Sequence, residues 1–228
     1  MSEFVDYRLE NGIATMAMDD GKANAWGIGM TASLSEGLDR AGEEADVVVI
    51  TGRSGLLCGG FDLKVIRGPA AGVREMVTAG AELALKTYMH PQPVIMACTG
   101  HAVAAGALFL LAADYRVGVS GAFKIGLNET SIGLSLPTWA LELTRDRLDN
   151  RMLNRATMGA ELFSPERAAE VGYLDEAVSP DGLQARVAEL AAAYQKLDRD
   201  GYATVKRRLR GARTTLVRDG LAAEMAGG

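Results

Sequence analysis

The sequence predicts an α/β fold in which short buried strands alternate with helices, and three observations predict it. Val47-Val48-Val49-Ile50-Thr51 is short, β-branched and apolar, which reads as a buried strand. Pro93-Val94-Ile95-Met96-Ala97-Cys98 is a second strand of the same kind. Each is followed by a glycine-bearing turn and then by a helical stretch, Gly59-Gly60 before Asp62 in one case and Gly100 before Ala102–Ala113 in the other.

Taken in order, Phe4–Leu9 and Ile13–Met18 alternate apolar with polar residues around Glu10-Asn11-Gly12, a hairpin signal. Asp19–Ala25 is a loop. Met30, Leu34, Leu38 and Ala41 fall at helical spacing, so 28–44 is an amphipathic helix. After strand 47–51 and the glycine loop, residues 62–89 are helical with a break at Gly68-Pro69. Strand 93–98, a turn at Thr99-Gly100-His101 and a small-residue helix over 102–113 come next. Strands are expected in 115–119 and 122–125, and helices in 137–148, 150–159 and 164–171, the last opened by the cap Ser164-Pro165-Glu166. A strand over 173–178 precedes two long helices, 180–197 and 201–217. No stretch rich in Gly, Ser or Pro separates a second domain. The expected division is a core over 1–179 and a C-terminal helical region over 180–228 of the same structural unit.

The composition narrows the function. The chain has 228 residues, 48% of them hydrophobic, enough to bury one sizeable core. Its net charge of −5 comes from mixed signs, with no basic run interleaved with aromatics, which argues against a nucleic-acid partner. The start, Met1-Ser2-Glu3-Phe4, lacks the apolar core of a signal peptide. The longest apolar run is about a dozen residues, short of a membrane span. Cys58 and Cys98 form no CxxC motif, and two histidines do not make a usual zinc set. The simplest compartment is the reducing cytoplasm, with no membrane partner.

Chemistry is concentrated in three places. The order strand, glycine pair, helix start at 57–64 offers free N–H donors to a negative atom; read alone, it is first a strand-to-helix turn capped by Asp62. Ala104-Ala105-Gly106 opens the second helix with the smallest side chains, so an oxygen can approach its N–H groups. Two such donors converging on one oxygen make an oxyanion hole. Glu129 stands among Ile125, Leu127, Ile132 and Leu134, and a carboxylate in an apolar wall has a raised pKa and can trade protons. Read alone, a glutamate is a solvated surface residue. His101 without a Ser or Cys partner reads as a packed core histidine, and Cys58 as a small buried residue. Asp114 reads as structural.

The chain resembles the crotonase superfamily, the enoyl-CoA hydratase/isomerase family, over nearly its whole length. The resemblance rests on Val48–Gly52, on Gly59-Gly60-Phe61-Asp62-Leu63-Lys64, on Pro93–Ala97 with Gly100-His101-Ala102, and on Phe123 through Gly126-Leu127-Asn128-Glu129 to Gly133. It implies a crotonase-like spiral of stacked β-β-α units with C-terminal helices, and a fatty acyl-CoA thioester as substrate, with coenzyme A entering as part of the substrate and no other cofactor. It implies Gly59 and Ala105 as the two oxyanion donors and Glu129 as the acid/base. It places Lys22, Ala23 and Ala25 along the coenzyme A groove and Gly60, Phe61, Asp62 and Leu63 beside the substrate. Trp139 would shape the acyl pocket, and Lys206 would approach the coenzyme A phosphates. The C-terminal helices imply a homotrimer or a hexamer made of two trimers.

Two departures from the family pattern matter. Two extra residues stand between Phe123 and Glu129, so the match is anchored on Gly133. Leu108 occupies the position where hydratases of the family commonly carry a second Glu, three residues after the donor and on the same helix face. Concerted hydration benefits from two carboxylates holding one water, whereas moving a double bond needs one base. The sequence therefore leans to isomerisation. A catalytically weak acyl-CoA binding protein on the same scaffold is the other open reading.

Overall fold

The computed structural model describes residues 3–226; the reading of Met1-Ser2 and the last two positions of the 180–228 region lie outside the described residues. Strands β1 (Val5–Glu10) and β2 (Ile13–Met18) form the hairpin, with Asn11 and Gly12 both at positive φ (50° and 78°) in the turn, as a two-residue hairpin requires. Helix α1 (Ile28–Glu44) leads to β3 (Val47–Thr51), which is followed by β4 (Gly55–Cys58), α2 (Leu63–Ile66) and α3 (Ala70–Tyr88). Strands β5 (Val94–Cys98) and β6 (Gly100–Val103) precede α4 (Ala105–Ala112). Strands β7 (Tyr115–Val119) and β8 (Ile125–Gly126) precede a 3₁₀ turn over Glu129–Ile132 and α5 (Thr138–Arg147). After α6 (Leu153–Ala156), α7 (Pro165–Val171) and β9 (Glu176–Val178), the chain ends in α8 (Leu183–Tyr194) and α9 (Arg199–Ala226).

Three successive strand pairs therefore each give one strand to a large sheet and one to a small one. The large sheet runs β1-β2-β3-β5-β7-β9, parallel throughout except for the hairpin; the small sheet runs β4-β6-β8, all parallel. This is the spiral of stacked β-β-α units. The uniform apolarity of β3 has a direct cause. Val48 and Ile50 face the main core between the sheets and helices, while Val47 and Val49 face a second core closed by Leu183, Val187, Leu190 and Ala191 of α8. A parallel strand buried on both faces has no polar side to show. Where the chain turns from large to small sheet the backbones nearly touch: a Cβ on Gly100 would lie 2.0 Å from the Gly55 carbonyl carbon.

Several elements differ from expectation because ladder bonds claim the donors. Residues 100–103 are strand, since Ala102 N–H donates to Lys124 O (3.1 Å) and Ala104 N–H to Gly126 O (3.0 Å), and α4 starts only at Ala105. The strand expected over 122–125 shrinks to Ile125–Gly126. The helix expected over 150–159 is the single turn 153–156, and the strand over 173–178 begins at Glu176, because Tyr173 and Leu174 both donate to Ala168 O at the αL end of α7. Helix 180–197 opens with a 3₁₀ turn and ends at Tyr194, while the last helix runs from Arg199 to Ala226.

Candidate functional site

The three strands of the small sheet run parallel and in register, so the segments leaving their C-terminal ends emerge side by side. Cys58 pairs with Ala102, and Ala102 with Ile125. Two to four residues beyond these positions stand Gly60-Phe61, Ala105 and Glu129. Ligands of parallel sheets sit at this edge, because helix N-termini and free loop ends converge there.

Ala104 makes the second segment possible. Its φ of 54° and ψ of −123° lie where a Cβ is strained, and it turns the chain so that Ala105 begins α4 with its N–H free. Gly106 then packs against β4, where a Cβ would fall 2.3 Å from the Cys58 carbonyl oxygen. Gly60, at φ 107°, brings the first segment close: a Cβ there would lie 3.8 Å from the Ala105 nitrogen.

Gly59 does not supply the donor on its own segment. Its N–H is bound to the Ala23 carbonyl at 2.8 Å, which fastens the 19–25 loop to the end of β4. One residue past the close approach at Gly60, the Phe61 N–H has no acceptor among the described residues, and neither has that of Ala105. Phe61 and Ala105 are therefore unspent donors that adjoin the close approach at Gly60. The resemblance places Phe61 beside the substrate without this role, and sequence offers no way to see that Ala23 uses up the neighbouring N–H. The Phe61 ring is held edge-on to Trp26 at 5.9 Å.

Glu129 heads the 3₁₀ turn that Gly133 ends in the left-handed region, φ 77°. Its Oε2 is buried without a hydrogen-bond partner. Burial pushes its pKa up, and the main-chain N–H groups of Glu129 and Asn128 offset this only in part. Leu108 is buried in α4, three residues after Ala105, and offers no second carboxylate.

The other expected residues divide. Asp62 caps α2 by accepting from Lys64 N–H at 2.8 Å, and Leu63 is exposed beside it. Lys22, Ala23 and Ala25 lie on a loop organised by Asp20, which accepts from Lys22, Asn24 and Ala25 N–H, and by buried Asn24, whose amide donates to Met18 and Leu57 carbonyls. Trp139 is fully buried at the start of α5. Lys206 is not available to a phosphate: its side chain is 5% exposed and its ammonium donates to Asp114 (2.6 Å), His90 O and Gln92 O, with Arg210 on the other Asp114 oxygen at 2.8 Å. A helix-borne basic run hides this, since only the tertiary contact buries every fourth residue. Asp114 is the structural centre of this cluster. His101 is half-buried in β6 rather than packed in the core, accepting from Lys124 N–H through Nδ1. Cys58 and Cys98 are free and buried, their thiols pushed up to about 12 by desolvation.

Two broad surface grooves lie elsewhere, one of about 810 Å³ between α1, α3 and the end of α9 and one of about 620 Å³ by the α8–α9 turn. They lack Phe61, Ala105 and Glu129, so volume is a poorer guide than donor geometry. Among the described residues no helix is long and apolar enough to cross a membrane.

Fold and site together define a class: a β-β-α spiral whose small sheet ends in two unspent main-chain donors and a buried carboxylate. The family model for enoyl-CoA hydratase/isomerase matches residues 8–226. The chain belongs to the enoyl-CoA hydratase/isomerase family, within the crotonase superfamily. It is 28% identical over 195 residues to rat mitochondrial enoyl-CoA delta isomerase 1, covering 83% of this chain and 68% of the relative. Across the mammalian mitochondrial isomerases it matches, it spans between 62% and 68% of their length. It is 33% identical over 207 residues to a probable enoyl-CoA hydratase of Rhodobacter capsulatus, covering 82% of this chain and 75% of the relative. The crystal structure of a Pseudomonas syringae enoyl-CoA hydratase/isomerase family protein superposes with a TM-score of 0.97 at 38% identity, over 99% of this chain and 98% of that one.

Proposed function

We propose that the protein moves the double bond of a fatty enoyl-CoA thioester, with Glu129 as the single acid/base and the N–H groups of Phe61 and Ala105 holding the thioester oxygen. Glu129 takes a proton from the carbon between the carbonyl and a 3,4-double bond. The electrons pass into the thioester, giving an enolate whose oxygen sits between the two donors. Glu129 returns the proton two carbons further along, leaving a 2,3-double bond. Preorganised donors at a developing oxyanion supply about 2.7–4 kcal/mol each. A raised pKa makes the carboxylate a competent base that is also a competent acid afterwards. Coenzyme A enters as part of the substrate, and one shuttled proton with one held oxygen uses no separate cofactor.

The observation that carries this reading is the pairing of one buried carboxylate with an apolar Leu108, which leaves a hydrating water without a second anchor. The test is a side-by-side assay of a 3-enoyl-CoA and a 2-enoyl-CoA with the parent and with Leu108→Glu. The parent should have the higher kcat/KM for isomerisation, and the variant should gain hydration while losing about 1–3 kcal/mol of stability to the new buried charge. A parent that hydrates faster than it isomerises overturns the preference. Tight binding of both esters without turnover of either would instead support an acyl-CoA binding protein.

A further inference from the structure

Asn24 is fully buried, yet both polar atoms of its side chain are engaged. Its Nδ2 donates to Met18 O at the end of β2 (3.0 Å) and to Leu57 O in β4 (3.1 Å), and its Oδ1 accepts from Asp20 N–H (3.0 Å). One amide thereby ties the large sheet, the small sheet and the 19–25 loop together. The main chain there is left-handed, φ 47°, a conformation that asparagine tolerates. On either side of Asn24 the chain grips the segment that leaves β4. Ala23 O accepts from Gly59 N–H at 2.8 Å, Trp26 N–H donates to Gly60 O at 2.8 Å, and Trp26 O accepts from Asp62 N–H at 3.3 Å. Trp26 and Phe61 thus form a parallel bridge in which Trp26 spends both its main-chain groups. The facing residue of such a bridge turns its own N–H and C=O to the opposite side. β4 is the edge strand of the small sheet with β6 as its ladder partner, so the side opposite the loop is that of β6 and of α4, which begins at Ala105. The Gly60 N–H is taken by Cys58 Sγ at 3.4 Å. Of the N–H groups over 59–62, that of Phe61 alone is left unspent, and the bridge decides where it points.

We propose that Asn24 is a positioning residue for the oxyanion donor: its amide clamps 23–26 against 59–62 and so aims the Phe61 N–H, on the reading that Phe61 and Ala105 hold the thioester oxygen. It acts through the main chain of Phe61 and needs no contact with substrate. A donor aimed in advance stabilises a developing oxyanion without reorganisation at the moment of reaction. Without the amide, the Met18 and Leu57 carbonyls lose this donor, and Gly60, at φ 107°, lets the freed segment swing.

The experiment follows the thioester carbonyl of a saturated acyl-CoA, labelled with carbon-13 at that carbonyl, by isotope-edited infrared spectroscopy at saturating ligand, so a change in affinity does not enter. The parent should draw the bound carbonyl band below its position in free solution. Asn24→Gly keeps the left-handed main chain and removes the clamp; it should lose most of that shift, and its kcat on a 3-enoyl-CoA should fall about 10–100-fold. Leu38→Ala, a core truncation further along α1, lowers stability without removing the clamp and should keep both the band and kcat. Where Asn24→Gly does not fold, Asn24→Asp is read across pH: its neutral carboxyl can donate to one carbonyl and its ionised form to neither, so the band shift should fade as pH rises. A band and kcat matching the parent's in Asn24→Gly, or in ionised Asn24→Asp, overturn the proposal. Equal losses in Leu38→Ala overturn it too, because lost stability alone would then explain them. A parent whose bound carbonyl stays at its solution position overturns the Phe61 and Ala105 reading itself, and the role of Asn24 with it.

Discussion

At the residue scale the site is defined by which polar atoms are already spent. Gly59 and Phe61 are two residues apart, and only the hydrogen bond from Gly59 to Ala23 separates their roles. Replacing single amide N–H groups by ester oxygens through semisynthesis should separate them cleanly. An ester at Phe61 should lower kcat by about 10²–10³-fold, while an ester at Gly59 should leave kcat within a few fold and loosen the 19–25 loop. Equal losses at both positions would return the donor role to Gly59. Glu129 carries a linked expectation. Its folded pKa lies above the unfolded value of about 4.3, so the folded state binds the proton more tightly than the unfolded chain does. The resulting stability is full below the unfolded pKa and is lost as pH rises through the folded one. Glu129→Gln should therefore be more stable than the parent at pH 8, with the gap closing toward pH 4, while kcat falls about 10²–10⁴-fold. Parallel denaturant melts at the two pH values check the first statement and steady-state assays the second.

At the element scale, α9 is tied to the spiral by a buried ionic cluster. Lys206 and Arg210 are one helical turn apart and meet on Asp114, which also accepts from Val94 N–H at the start of β5. Both Asp114 oxygens are thereby engaged, Oδ2 by Lys206 and Val94 N–H and Oδ1 by Arg210, as a buried ion pair requires. Removing Lys206 takes the donor from the His90 and Gln92 carbonyls and leaves Arg210 as the one cation paired with the buried Asp114 among the described residues. Lys206→Met should destabilise the protein by about 3–5 kcal/mol yet leave KM for an acyl-CoA unchanged in the folded fraction. A rise in KM without a loss of stability would show that Lys206 reaches the coenzyme A phosphates after all.

At the scale of the whole molecule, α9 presents an uncovered seam. Val205, Leu209 and Leu216 are 64%, 77% and 49% exposed, and with Ala212 between them they repeat at four, three and four residues. That is the spacing of helices that pack along one another. We propose that copies of this chain associate through the seam into a trimer or a hexamer. Leu209→Glu combined with Val205→Glu should reduce the mass seen by light scattering to that of one chain, with the circular dichroism spectrum retained. A parent that already sediments as a single chain would remove the proposal.

What was legible from the sequence alone follows local physics. Strand 47–51, helix 28–44, the Asn11-Gly12 turn and the caps at Asp62 and Ser164 depend on side-chain period, turn chemistry and nearest neighbours, all of which a sequence displays. The motif order also sufficed to identify the family. What only the tertiary structure decided depends on partners far away in the chain. The start of α4 waits at Ala105 because β8 takes the earlier donors, and Gly59 is silenced by a carbonyl 36 residues before it. Lys206 is buried because Asp114, 92 residues earlier, needs a cation. A hydrogen-bond donor has one best acceptor, and which acceptor that is remains undetermined until the chain has folded.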